Sequence, residues 1–178
     1  MTGRYSDQGI ILSKKDFSEA DRILVLFSKK NGRVSLMAKG VKKLKSRKRG
    51  HLEVFNEIKF SASETKGMDI VTDVEKIDNL EFKTLNKISL AYYFVEIVNK
   101  VSQEGEKNEE LYSLLLNYLN RLQTTNKLQK LRQEFVHKLL MILGFWPRRK
   151  RINNPDVVLS EVLEKEISSL RVGKKLLV

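Results

Sequence analysis

The chain has no cysteine, two histidines, two prolines and one tryptophan among its 178 residues. Without cysteine it cannot form disulfides, thiolate nucleophiles or cysteine-ligated zinc sites. No apolar run reaches the roughly 20 residues that a membrane-spanning helix needs, and residues 1–7 are polar, unlike the start of a signal peptide. We therefore expect a cytoplasmic protein with no membrane contact, no metal and no cofactor.

Catalytic constellations are missing as well. A nucleophile needs an adjacent base, and acid–base chemistry needs two titratable groups held in one cleft. No pattern of either kind is present. Gly32, Gly40, Gly50 and Gly67 stand alone, so they do not form a phosphate-binding glycine loop. The sequence predicts a protein that is not an enzyme.

Acidic residues are scarce where basic residues are dense. The formal net charge is +12 and the pI is near 9.8. Between Asp21 and Glu53 there are eleven Lys and Arg residues and no acid. Such a field of one sign predicts a polyanionic partner, although a basic run can also be only a solvated, mobile loop. Its densest part, residues 39–51, contains Lys39, Lys42, Lys43, Lys45, Arg47, Lys48 and Arg49.

Apolar residues before Asn79 follow a period of two, which is typical of strands. Five short strands are predicted, with a hairpin turn at residues 30–32. Val34, Leu36 and Ala38 are expected to face inward, which places Arg33 and Lys39 outward in line with the basic run. The last strand is expected to bury Ile70, Thr72 and Val74. The five strands are predicted at residues 9–12, 22–28, 33–39, 54–60 and 68–77.

Five strands in this length predict a small antiparallel barrel, with an OB-like barrel the first candidate and an SH3-like barrel similar in signature. After Asn79 the period becomes helical. Tyr92 is among the residues expected to face the helical core. Asn126 with Gln129 resembles a capping box, Gly144 ends the third helix, and Asn154 with Pro155 begins the last. The sequence thus predicts an α+β protein with a barrel domain (1–78) and an all-α domain (79–178).

The chain resembles a known family in residue types and order. The segments Gly9–Leu12, Asp16–Ile23 and Ala38–Lys43 resemble the N-terminal domain of the bacterial DNA repair protein RecO family. Ser89–Tyr93 and Leu139–Phe145 resemble helices of the same family. Many members have a four-cysteine zinc module after this last segment, whereas Pro147 to Arg151 follow it here. The resemblance is therefore to a short form without the zinc module.

The resemblance implies an OB-fold joined to a helical domain in a recombination mediator of the cytoplasm and nucleoid. Members of this family bind single- and double-stranded DNA, anneal complementary strands and act with RecR to load RecA. They also contact the C-terminal tail of single-stranded DNA-binding protein. These activities and partners are the expectations that the resemblance adds to the charge pattern.

Phosphate neutralisation is the expected mode of binding, because it gives affinity without reading sequence. Five to seven engaged cations predict a single-strand salt slope of roughly −3.5 to −5. Phe55, Phe17 and Tyr5 are the plausible outward aromatics of the barrel half, so little base stacking is expected. The predicted contacts are Arg33, Lys39, Lys42, Lys43, Lys45, Arg47, Lys48 and Arg49. A second contact, or only a charged turn after a helix, is predicted at Arg148, Arg149, Lys150 and Arg151.

Two other functions fit the same charge. One is an RNA-binding or ribosome-associated OB-fold protein, which competition between DNA and RNA oligomers would distinguish. The other is an adaptor whose helical half binds acidic peptide tails while the intact protein ignores DNA.

Overall fold

A computed structural model describes residues 3–46, 48–78, 80–147 and 154–163 of the chain. These residues form five strands followed by four helices, which confirms the α+β prediction. They divide into a barrel unit, within Met1–Leu80 and Ser102–Glu109, and a helical unit, within Glu81–Val101 and Glu110–Val178. The elements are β1 (Arg4–Asp16), β2 (Arg22–Ser28), β3 (Gly32–Ala38), β4 (Glu57–Ser63), β5 (Asp69–Lys76), α1 (Leu85–Val101), α2 (Glu109–Thr124), α3 (Leu128–Ile142) and α4 (Pro155–Val162).

The five strands close into a barrel in the order β1-β2-β3-β5-β4, with β4 paired back to β1. All neighbours are antiparallel except β3 and β5, which are parallel. The predicted OB-like barrel is confirmed. β1 is much longer than the predicted residues 9–12 because it pairs with both β2 and β4. A register shift between Ile11 and Ser13 bends it between these two partners.

The alternation of β3 is confirmed, since Leu36 and Ala38 are buried in the barrel core and Val34 packs against it. The prediction for β5 is wrong at Thr72, which is exposed while Val71 is buried. Ser61 pairs with Asp73 and Ala62 pairs with Val71, so Thr72 is an extra residue in the ladder. A bulge of this kind reverses the inward and outward faces on one side of it.

β4 begins at Glu57 rather than at the predicted residue 54. Phe55 has a φ of 77°, which is incompatible with an extended strand. Its N–H donates to the carbonyl of Ile11 (2.9 Å), and the Ile11 N–H donates to the carbonyl of Asn56 (3.1 Å). The residues before β4 therefore join the barrel through an irregular turn.

The core of the helical unit is centred on three aromatic rings. The Phe94 and Phe135 centroids lie 4.2 Å apart, and Tyr118 packs edge-on to Phe135 at 5.4 Å. Tyr92, predicted to face this core, is instead half-exposed, and its neighbour Tyr93 is buried. A one-residue error corresponds to about 100° around a helix with 3.6 residues per turn.

Helix ends follow the sequence signals unevenly. Gly144 has a φ of 79° just after α3, which confirms it as the glycine that ends this helix. The predicted capping box at Asn126 is wrong, because Lys127 is the N-cap residue and no side chain caps the helix. Asn154 is the N-cap residue of α4 with Pro155 next to it, as predicted, although Asn154 makes no capping hydrogen bond through its side chain.

α4 is joined to α3 by a buried ion pair. Arg132 Nη2 lies 2.7 Å from Asp156 Oδ2, and the two side chains are only 10% and 15% exposed. The Arg132 guanidinium also lies 5.7 Å from the centre of the Tyr93 ring. Burial, reinforced by the Asp156 carboxylate, raises the pKa of Tyr93. In the described part of the chain, no helix is long and apolar enough to cross a membrane.

Candidate nucleic-acid interface

The basic run forms the connection between β3 and β4, and we call residues 39–51 the basic loop. Two of its cations, Lys42 and Lys48, are half-buried. Arg47 lies outside the described residues, as do Arg148, Arg149, Lys150 and Arg151 of the predicted second contact. The remaining cations of the loop are exposed and, within the described residues, their side chains form no ion pair: Lys39, Lys43, Lys45 and Arg49.

The loop is attached to the barrel at both ends. Val41 and Leu52 are buried in the barrel core. Near the start, the Gly40 N–H donates to Asp21 Oδ1 (2.8 Å). Near the end, Asn56 Nδ2 donates to the carbonyl of His51 (3.0 Å). These contacts attach both ends of the loop to the barrel.

Within the loop the backbone folds through tight turns. Gly40 has a φ of 66°, which glycine adopts without steric cost. The Lys43 N–H donates to the Gly40 carbonyl (3.2 Å), and the Ser46 N–H donates to the Lys43 carbonyl (2.9 Å). Because these turns satisfy backbone groups internally, the exposed cationic side chains are left to interact with solvent or a ligand.

Lys42 binds the turn between β1 and β2. Its Nζ lies 3.1 Å from Asp16 Oδ2 and donates to the carbonyl of Ser18 (3.0 Å), while its N–H donates to the carbonyl of Ala20 (3.0 Å). Hydrogen bonds from Arg22 and from Lys42 lower the pKa of Asp16. The Lys42 ammonium is thus already partly neutralised within the protein.

Lys48 contacts the β5 bulge. Its Nζ donates to the carbonyl of Thr72, the extra residue of the ladder. The Thr72 Oγ1 in turn donates to the carbonyl of Ser61 (3.1 Å). Lys48 therefore supplies a hydrogen-bond donor to a carbonyl that the bulge removes from regular strand pairing.

The base of the loop is neutralised by Glu53, which forms ion pairs with Lys14 and with Arg22, the latter at 3.7 Å. Arg22 also lies 3.0 Å from Asp16. Acids therefore surround the attachment points of the loop, whereas the exposed charged side chains of the loop are all basic. The positive field therefore comes from the exposed cations of the loop.

Arg33 lies away from the basic loop, near the start of β3. Lys39 lies six residue steps further along the chain, a distance of about 20 Å at the rise of a strand. Its carbonyl accepts a hydrogen bond from the Gly105 N–H (3.0 Å), and it forms a parallel bridge with Glu104. The structure thus does not bring Arg33 together with the other predicted phosphate contacts.

A groove of about 650 Å³ lies on the barrel unit, and it is not a field of one sign. Lys107 lies 2.6 Å from Glu109 and, by its hydrogen bond, lowers the pKa of that carboxyl. In the described residues no cluster of three or more His, Asp or Glu could hold a metal ion. The groove is lined by four lysines and four acids: Lys29, Lys30, Lys59, Lys107, Asp7, Asp73, Glu75 and Glu109.

Two models of one known protein family together match residues 1–80 and 83–151 of the chain. Residues 1–80 match the family model described as Recombination protein O N terminal, and residues 83–151 match Recombination protein O C terminal. The two models meet close to the boundary between the barrel and the first helix.

Similar curated proteins carry one description, DNA repair protein RecO. The protein of Pelotomaculum thermopropionicum is 35% identical over 152 residues, covering 84% of this chain and 59% of the relative. That of Roseiflexus sp. is 29% identical, covering 90% and 57%. That of Desulforamulus reducens is 31% identical, covering 92% and 63%. This chain spans less than two thirds of the length of these relatives.

Proposed function

This chain belongs to the RecO family, and we propose that it acts in DNA repair and recombination by binding single- and double-stranded DNA without sequence specificity. The observation that carries the proposal is the set of exposed cations on the basic loop. Its four exposed cations have no ion pair within the described residues, on a loop attached to an OB-like barrel. They are Lys39, Lys43, Lys45 and Arg49.

The chemistry of the loop supports phosphate binding over base recognition. Lys and Arg neutralise phosphates and release counterions whatever the base sequence. The same neutralisation lowers the repulsion between two strands, which favours annealing of complementary strands. We propose that Lys42 and Lys48 contribute less, because Asp16 and the Thr72 carbonyl already occupy their ammonium groups. Arg33 would contact only DNA that extends along the barrel.

Two partners are part of the proposal. By the family membership, the chain would act with RecR to load RecA and would contact the tail of single-stranded DNA-binding protein, at the nucleoid in the cytoplasm. A loading assay on coated single-stranded DNA, with and without RecR, tests this. RecA filament formation that does not depend on this chain would contradict it.

The salt dependence of oligonucleotide binding tests the phosphate contacts. Four engaged cations predict a slope of log affinity against log salt of roughly −3, at about −0.7 per single-strand phosphate. Replacing Lys39, Lys43, Lys45 and Arg49 by Ala should make the slope shallower by about 2.8, the contribution of four phosphate contacts, and should weaken strand annealing. A slope near zero for the unaltered protein would overturn the proposal.

A charge-matched control separates the loop from the net charge. The quadruple replacement of Lys66, Lys83, Lys127 and Lys130 by Ala removes the same charge from exposed positions outside the loop. It should leave the slope and annealing nearly unchanged. An equal loss in both variants would mean that overall charge, and not the loop, binds DNA. Competition with RNA oligomers of equal length distinguishes the RNA-binding alternative.

A further inference from the structure

Three aromatic side chains of the barrel are candidates for stacking on bases, and two of them are covered. Tyr5 packs edge-on against Phe60, with centroids 6.2 Å apart, and its hydroxyl donates to Asp69 (3.1 Å). Phe55 is half-buried in the irregular turn before β4. Phe17, by contrast, is 64% exposed.

Phe17 lies in the turn between β1 and β2, and that turn is joined to the basic loop. Its own N–H donates to the carbonyl of Asp21 (3.1 Å), which fixes the backbone. Its two neighbours, Asp16 and Ser18, both contact the Lys42 ammonium, at 3.1 and 3.0 Å. Phe17 therefore lies on an ordered turn that Lys42 joins to the start of the basic loop.

A second exposed apolar side chain lies in the basic loop, which Lys42 joins to this turn. Leu44 is 94% exposed in the basic loop, two residues after Lys42. A single exposed apolar residue is ordinary on a protein surface. Here two large ones occupy the two segments that Lys42 joins, among cations. An exposed aromatic side chain near cations is the composition of single-strand binding sites, and here Phe17 supplies the aromatic ring.

We infer that Phe17 is a stacking site for an unpaired nucleobase beside the basic loop, and that it favours single-stranded over double-stranded DNA. The inference rests on the proposed function. Both forms of DNA present phosphates to the loop cations. Only an unpaired strand presents a base face to Phe17, because bases in a duplex already stack on their neighbours. Stacking is sequence-tolerant, since every base has a π-face.

Replacing Phe17 by Ala tests the inference through two affinities measured side by side. Single-strand affinity should fall about 5- to 150-fold, the range for loss of one base–aromatic contact. Affinity for a duplex of equal length, and the salt slope, should stay unchanged. Phe17→Trp should restore single-strand affinity and quench the fluorescence of 2-aminopurine in the oligonucleotide, whereas Phe17→Leu should not restore it.

Phe145→Ala is the matched control, because Phe145 is a comparably exposed aromatic (54%) in the helical unit. It should leave both affinities unchanged. Single-strand affinity of Phe17→Ala within twofold of the unaltered protein would overturn the inference, as would an equal loss for duplex. If the basic-loop variant then still loses binding, the proposed function stands without Phe17. An unaltered protein that binds no oligonucleotide would overturn both.

Discussion

The Lys42 ammonium lies 3.1 Å from the Asp16 carboxylate, so one cation of the basic loop has an acidic partner inside the barrel unit. The pair links the turn before β2 to the start of the loop. It orders the loop, and it also competes with any phosphate for Lys42. The basic loop therefore contains cations in two different environments, engaged within the barrel unit or exposed to solvent.

Replacing Asp16 by Asn should strengthen DNA binding, because Lys42 loses its acidic partner. The single-strand salt slope should steepen by about 0.7, the contribution of one further phosphate. Glu19→Gln is the control, since Glu19 is an exposed carboxylate of the same turn and the change in charge is identical. Both replacements are measured by oligonucleotide titration. Equal effects would show that the change in net charge, and not the release of Lys42, strengthens binding.

Replacing Lys48 should affect mainly the stability of the fold, whereas replacing Lys43 should affect mainly DNA binding. Lys48→Ala removes the hydrogen bond to the Thr72 carbonyl, and we expect a loss of about 0.5–1 kcal/mol in the free energy of unfolding. DNA affinity should change little. Lys43→Ala removes an exposed cation and should show the opposite: weaker binding and unchanged stability. Urea unfolding and oligonucleotide titration on both variants check this, and identical behaviour would contradict it.

Removing one partner of the buried Arg132–Asp156 pair should lower the free energy of unfolding strongly. Asp156→Ala leaves a buried guanidinium without its carboxylate and should lower the free energy of unfolding by about 3 kcal/mol. Combining it with Arg132→Met should recover most of this loss, because the uncompensated charge is removed.

The Arg121–Glu134 pair is a control for that experiment, since its N–O distance is also 2.7 Å but its side chains are 42% and 34% exposed. Glu134→Ala should cost less than about 1 kcal/mol. Urea unfolding of the intact chain measures all three variants. Equal losses from Asp156→Ala and Glu134→Ala would show that burial does not decide the strength of these pairs.

Gly32 should be the least replaceable glycine of the barrel unit. It has a φ of 65°, and a Cβ there would lie 1.9 Å from the Glu106 carbonyl oxygen. Gly32→Ala should therefore cost about 3 kcal/mol. Gly40 has a similar φ but more room, so Gly40→Ala should cost about 1–2 kcal/mol. Gly67→Ala, with no atom within 4 Å, should be nearly neutral. A different order in thermal unfolding would contradict this explanation.

Tyr5 should make stability sensitive to alkaline pH. Burial, together with the hydrogen bond to Asp69, raises the pKa of Tyr5 to about 12. Because this folded pKa exceeds the ordinary value of about 10, the stabilisation is complete below pH 10 and is lost as the pH rises through 12. Tyr5→Phe cannot ionise, so its free energy of unfolding should fall less between pH 10 and 12. Parallel falls in both proteins would exclude Tyr5 as the cause.

Much of the fold could be predicted from local patterns. The alternation of Leu36 and Ala38 indicated the inner face of β3, and the helical period after Asn79 indicated the helical unit. Gly144 ended its helix as expected. These features depend on neighbours in sequence, where period and turn chemistry act directly.

Other features depend on partners distant in sequence. The bulge at Thr72 arises from pairing with β4, and the buried charge of Arg132 depends on Asp156, 24 residues later. The sequence pattern likewise did not indicate that Ser102–Glu109 belongs to the barrel unit. No local period carries information of this kind.

For the candidate site, the sequence alone determined where the positive charge lies, because an acid-free run of cations is a property of composition. Only the tertiary structure decided which cations are exposed and which are engaged by Asp16 and Thr72. It also decided that Phe17 is exposed while Tyr5 and Phe55 are half-buried. The physical reason is that burial and ion pairing are set by residues that the fold brings together from β1, β5 and the basic loop.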